Sequence, residues 1–351
     1  MPDKHLPPLA AAAAGMALAA TLAGCSAAPV DPDGARASAG ASDGFPVTIA
    51  SSLGSATIEQ RPARVVTIGQ GSADTVVALG TTPVGVEVDS WGGDGDGYQP
   101  WLREALEESG EELPALITAT PEVDVEGILE LEPDLILAPQ SGITQADFDL
   151  LSAVAPTVAY PGDAWSTPWD EQIRIIGQAL GESDDAEAIV RDIRDELRAV
   201  ADQNPQFEGT TFSYLYTGEP GVLGVFQAGE PRVDILTGMG LTVDPVIAEQ
   251  PVTPGTSSSL IGLERADILN DSDLVFTWFS DPDQQAAIEA QPLYAQIPAV
   301  RRGSDVVSYD RSFVTASSLI TPLTVPWVLA DFVPRIQDAV AVVSNAPAAS
   351  E

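Results

Sequence analysis

The stretch "VDVEGILELEPDLILAP", residues 123–139, carries two periodicities in succession, and their order decides the fold. Its first half reads as a capped helix with Glu126 near the start and apolar residues at helical spacing. Asp134 and Leu135 then lead into "DLILA" (134–138), an unbroken apolar run of strand length. A strand without polar alternation is covered on both faces, which is the signature of a parallel sheet between helices. "LERADILNDSDLVFT" (263–277) repeats the pattern, with a glutamate near a helix start and Asp-Leu entering a strand. Glu126 and Asp134 are eight positions apart, Glu264 and Asp273 nine.

Outward from the first copy, strand and helix signals alternate. "RVVTIG" (64–69) and "PVGVEVD" (83–89) read as strands, and "SADTVVALG" (72–80) as a helix capped by Ser72 and stopped by Gly80. "QADFDLLSAVAPTVAY" (145–160) repeats helix-then-strand. Residues 168–203 read as helical with a break at Gly181. The second half places Ala186, Ile189, Val190, Ile193, Leu197 and Val200 on one stripe. Alternation then restarts. Strands are expected at 210–218, 273–280 and 304–310, short helices at 232–240 and 283–290, and a closing helix at about 325–343. The chain therefore reads as α/β, with an N-terminal lobe over 46–167, a linking helical segment over 168–204 and a C-terminal lobe over 205–351.

The start, "MPDKHLPPLAAAAAGMALAATLAGC", has the layout of a secretory signal over 1–24, and Leu22-Ala23-Gly24-Cys25 matches the lipobox of bacterial lipoproteins. Cys25, the single cysteine, is thus expected to be acylated after cleavage, and residues 25–45, rich in small and polar residues, to form a flexible tether. Cleavage would remove Lys4 and His5, the only lysine and the only histidine. With 52 acidic residues against 15 lysines and arginines, the net charge of −37 argues against nucleic-acid partners. Without histidine or a free thiol there is no Ser-His-Asp triad, no imidazole proton shuttle and no ordinary zinc or copper site. No catalytic residue, resident metal or cofactor is expected. "DGDGY" (94–98) lacks the rest of a calcium-loop spacing and reads as a turn.

The stretches "RPARVVTIGQGSADTVVALGTTPVGVEVD", "VDVEGILELEPDLILAPQSG", "LSAVAPTVAYPG", "WDEQIRIIGQALG" and "SDLVFTWFSDP", in this order behind a lipobox, resemble the substrate-binding lipoproteins of ABC importers for ferric siderophores, haem and cobalamin. The resemblance runs from Arg61 to about Val343. It implies two Rossmann-like lobes bridged by one long α-helix, capture of a ferric siderophore (its iron being cargo), and no covalent chemistry. It further implies location on the outer face of the cytoplasmic membrane. By motif position it makes Glu126 and Glu264 the pair that docks onto arginines of a permease dimer.

In open α/β sheets, ligands bind beyond the carboxyl ends of the strands. In the first lobe that rule selects Gln70, Trp91, Tyr98, Trp101, Gln140, Ser141 and Trp165. In the second it selects Tyr216, Phe226, Arg232, Trp278 and Arg311. Trp169, leading a helix, reads as structural. Loop tryptophans suit a bulky, partly apolar chelate, and the scarcity of arginine points to a hydroxamate or mixed siderophore of low charge. Alternatives are haem or a corrinoid, a carboxylate-based hydrolase, and a structural or adhesive surface lipoprotein.

Overall fold

The computed structural model describes residues 44–218 and 221–345. The expected leader, Cys25 and all but the end of the tether lie outside the described residues, as does 346–351.

A hairpin of β1 (Val47–Ala50) and β2 (Ser55–Ile58) precedes the first sheet. Then follow β3 (Val65–Thr67), α1 (Ser72–Ala78), β4 (Gly85–Glu87), α2 (Pro100–Ser109) and β5 (Ala115–Ile117). Next come α3 (Val125–Glu130), β6 (Leu135–Ala138), α4 (Gln145–Ser152) and β7 (Thr157–Ala159). The sheet order is β5-β4-β3-β6-β7, with every pair parallel. The apolar run of β6 is buried throughout, and its residues alternate between two clusters. Ile136 and Ala138 pack with Val66, Ile128 and Phe148, below α3 and α4. Leu135 and Leu137 pack with Val65, Ile176 and Leu180, on the face covered by α5 (Trp169–Leu180).

α5 ends at Gly181 (φ 75), the predicted break, and α6 (Ser183–Gln203) folds back along it. The hairpin is clasped by Arg174 to Glu187 at 2.7 Å and Arg194 to Asp170 at 2.7 Å. Gly177 lets the helices touch, because a Cβ there would lie 2.3 Å from that of Ala186. α5 packs on α1 and α6 on α7 (Pro231–Gly238), so the pair joins the two lobes. Ala186, Val190, Ile193 and Leu197 of the predicted stripe are buried, with Ile189 and Val200 at its margin.

The second lobe contains β8 (Thr211–Tyr216), β9 (Gly224–Phe226), α7, β10 (Thr242–Val243), α8 (Pro245–Ala248) and β11 (Ser258–Leu260). It continues with β12 (Leu274–Trp278), α9 (Pro282–Glu289), α10 (Pro298–Arg302), β13 (Asp305–Ser308), α11 (Arg311–Ala316) and α12 (Thr324–Asn345). Its order is β11-β9-β8-β12-β13, with β10 also on β8. β8, β12 and β13 are parallel, and β9 is antiparallel to both β8 and β11.

The two matched segments share one device at the strand entry. Asp134 accepts the N–H groups of Ala63 and Arg64, each at 2.8 Å, just before β3. Asp273 accepts the N–H and hydroxyl of Thr211, each at 3.0 Å, where β8 begins. The segments differ ahead of it. Val125–Glu130 is an α-helix capped by Asp124, whereas Leu263–Leu269 is a 3-10 turn kinked at Arg265. The extra residue in the second copy is taken up there.

Beneath the cleft the lobes share a core. Trp101 of α2 lies 5.6 Å from Trp327 of α12, and buried Asp74 of α1 accepts hydrogen bonds from Trp101 Nε1 (3.1 Å) and Thr321 Oγ1 (2.6 Å).

Candidate ligand cleft

A cavity of about 570 Å³ opens at the carboxyl ends of β3, β4 and β5. After β3 the chain turns at Gly69 (φ 83), where a Cβ would stand 2.1 Å from the Gln140 carbonyl oxygen, so only glycine fits. Its N–H donates to Glu87 Oε2 at 2.8 Å, and Thr120 Oγ1 donates to Glu87 Oε1 at 3.0 Å. This fixes the carboxylate of Glu87 in the cavity wall. Gln70 continues the wall beside it.

The loop after β4 is tied down by its own aspartates. Asp89 Oδ1 accepts the N–H groups of Trp91 (3.0 Å) and Gly92 (2.7 Å). Asp94 Oδ1 accepts those of Asp96, Gly97 and Tyr98 and its other oxygen meets Arg103, so "DGDGY" is a turn. Tyr98 gives its ring to the cavity, its hydroxyl donating to the Pro114 carbonyl at 2.7 Å. Arg103 lies 4.7 Å from the centre of that ring.

This loop reaches the second lobe. The indole of Trp91 meets Trp278 edge-on at 5.8 Å, and Arg311 lies 5.7 Å from the centre of its ring. Ser312 Oγ donates to the Gly92 carbonyl at 2.7 Å. Elsewhere in the second lobe, Phe226 packs between Tyr216 at 5.1 Å and the guanidinium of Arg232 at 5.0 Å. Arg232 is ion-paired with Glu230. Burial pushes the Glu230 carboxyl above its ordinary range, against the pull of Arg232. Arg232 Nε, Trp278 Nε1, Thr217 Oγ1 and Thr277 Oγ1 are buried atoms without hydrogen-bond partners. They cluster in sequence at the carboxyl ends of β8 and β12 and the start of α7.

Among the expected residues, Gln70, Trp91, Tyr98 and Trp165 line the cavity. Trp91 links them to Trp278 and Arg311, while Tyr216, Phe226 and Arg232 form a separate cluster that does not line the cavity. Three placements are corrected. Trp101 is not on a loop but the second residue of α2, 2% exposed and fixed by Asp74 and Trp327. Ser141 is 1% exposed, its hydroxyl donating to the Ala138 carbonyl. Gln140 binds the following loop, its Nε2 donating to the Trp165 carbonyl at 3.2 Å and its Oε1 accepting from Thr167 N at 2.9 Å. Gln140 and the Ser141 carbonyl thus hold Trp165, whose N–H donates to the latter at 3.1 Å. Trp165 is 49% exposed, at φ 59. Trp169 opens α5 under Arg194, a structural position.

The sequence reading passed over Glu87, Asp89, Thr118 and Thr120, all in the cavity wall. A charge closing the otherwise small and apolar β4 was the available signal for Glu87. Glu126 and Glu264 are both exposed, each in a first helical turn. Among the described residues, no group of three or more acidic, histidine or cysteine side chains could hold a metal ion, and no helix is long and apolar enough to cross a membrane.

Residues 65–310 match the family described as periplasmic binding protein. The chain belongs to this family. Among its relatives, the achromobactin-binding periplasmic protein of Dickeya dadantii is 30% identical over 250 residues, 69% of this chain and 76% of the other. The probable siderophore-binding lipoprotein YfiY of Bacillus subtilis is 30% identical over 136 residues, 38% of each chain. The iron-uptake substrate-binding protein PiaA of Streptococcus pneumoniae, solved with ferrichrome, superposes with a TM-score of 0.75 at 26% identity. That match covers 84% of this chain and 99% of PiaA. These relatives are binding proteins, and the two parallel-rich α/β lobes with a helical connection are their fold. In this periplasmic binding protein the matched region runs from β3 to the last residue before α11. It contains the whole cavity wall except Thr315, and Trp278.

Proposed function

We propose that the protein captures a ferric siderophore outside the cytoplasmic membrane and delivers it to an ABC permease, held at the membrane by acyl chains on Cys25. The observation that carries this reading is the cavity at the strand ends, walled by Trp91, Tyr98 and Trp165 together with the neutral polar side chains of Gln70, Ser90, Thr118 and Thr315. A pocket with aromatic walls and a few placed polar groups suits a bulky chelate. Binding is reversible, and no residue is assigned a catalytic role. The names of the siderophore-binding relatives support the same cargo. Glu126 and Glu264, exposed on separate lobes, are the proposed permease contacts.

Native mass spectrometry with a mixed panel of ferric siderophores tests the reading. We expect one retained chelate adduct and quenching of tryptophan emission by the same compound. Folded protein with no adduct and a flat titration across the panel overturns it. The E126A/E264A pair should abolish uptake while leaving chelate affinity unchanged, and C25A should release the protein from the membrane fraction.

A further inference from the structure

We propose that the cleft selects ferric chelates of zero or positive net charge, the tris-hydroxamate class, and rejects anionic catecholate and hydroxycarboxylate complexes; this rests on the ferric-siderophore reading above. The cavity wall presents the carboxylates of Glu87 and Asp89 and no arginine. Both are anchored by backbone N–H groups, so neither side chain can swing out of the way of a ligand.

The nearby guanidiniums are already engaged. Arg103 is paired with Asp94 and Asp96 and lies within 3.7 Å of Glu107. Arg232 is spent on Glu230. Arg311 faces the ring of Trp91 and is the one cation at the cleft without a carboxylate partner among the described ion pairs. Carboxylates therefore outnumber free positive charge at the cleft, on a chain whose net charge is −37. The other polar side chains in the wall, among them Gln70, Ser90, Gln99, Thr118 and Thr315, are neutral. Such groups match carbonyl and hydroxamate oxygens better than full anions, which want charged donors when desolvated.

The chelate chemistry sets the contrast. Three singly charged hydroxamate arms cancel the charge of ferric iron, whereas three doubly charged catecholates leave a trianion. In an enclosed cleft the repulsion between that trianion and two fixed carboxylates is poorly screened.

The test titrates the protein, by tryptophan quenching at fixed ionic strength, with three probes. They are a neutral ferric tris-hydroxamate, a tris-hydroxamate bearing a pendant ammonium, and a ferric tris-catecholate. Both hydroxamates should bind at least about 100-fold more tightly than the trianion. In E87Q/D89N that ratio should fall about tenfold. D89N can keep the oxygen that accepts from Trp91 and Gly92, and near-UV circular dichroism reports whether the variant folds. A trianion that binds wild type as tightly as the hydroxamates overturns the charge rule while leaving the receptor reading intact. So does an unchanged ratio in the folded variant. No binding by any probe overturns the charge rule, and the receptor reading falls with it only if the mixed siderophore panel also leaves no adduct.

Discussion

Asp74 is a carboxylate sealed between two lobes with no cation beside it. It accepts from Trp101 and Thr321, while its second oxygen has no partner. Burial, opposed by these hydrogen bonds, raises its pKa to about 6. Because the folded value lies above the unfolded one, the proton on Asp74 stabilises the fold below about pH 4, and that contribution is lost as pH rises through 6. D74N keeps an acceptor for both donors and removes the charge. A shift of this size corresponds to about 3 kcal/mol, offset by about 1 kcal/mol for an amide N–H left unpaired. Urea unfolding should therefore show D74N more stable than wild type by roughly 2 kcal/mol at pH 7.5. Near pH 4.5 the advantage should be gone; an equal advantage at both values would contradict this account. Trp165 makes the opposite trade. A bulky residue at positive φ costs on the order of 1 kcal/mol, and here that conformation holds an indole on the cavity rim. W165G should leave unfolding free energy within about 1 kcal/mol of wild type, the relieved strain offsetting the freer unfolded chain. Chelate affinity should fall about tenfold by tryptophan-independent calorimetry.

At the scale of elements, the aspartates that open β6 and β12 tie each of those strands to the start of its neighbour. Removing Asp134 takes two accepted hydrogen bonds from the solvent-exposed backbone ahead of β3. Both donors are exposed and can turn to water, so D134A should cost about 1 kcal/mol in chemical denaturation, while E126A, on the exposed face of α3, should cost less than about 0.5 kcal/mol. Elements with a long apolar period were legible beforehand: the β6 run, the α6 stripe and the break at Gly181 appear where the pattern put them. The β1–β2 hairpin, β5 and β9 to β11 were not: unlike the equally short β3, β4 and β6, they lack a longer apolar or alternating run around them. Trp101 follows Gly-rich sequence and a proline, a context that resembles loop as much as helix start. Pro100 is the first residue of α2, the position at which proline opens a helix. Of the cleft, the aromatic residues stood out as rare types on loops. Glu87 and Asp89 did not, because two acids among 52 carry no signal until the strand ends bring them together.

The whole molecule carries a surplus of negative charge that its arginines only partly answer, and folding concentrates that charge. Salt screens self-repulsion within a Debye length of about 10 Å at 0.1 M. The melting temperature should thus rise by about 5 °C between 10 mM and 0.5 M sodium chloride, measured by calorimetry. A flat response would mean the acids are already compensated locally. Trp91 belongs to one lobe and Trp278 to the other, and their rings cross at 77° with centres 5.8 Å apart. Two indoles that close act as coupled oscillators, whose circular dichroism carries a signed couplet neither produces alone. The cleft therefore contains its own spectroscopic ruler: if the lobes part by even a few ångströms, the couplet collapses, and their separation can be followed without attaching a dye.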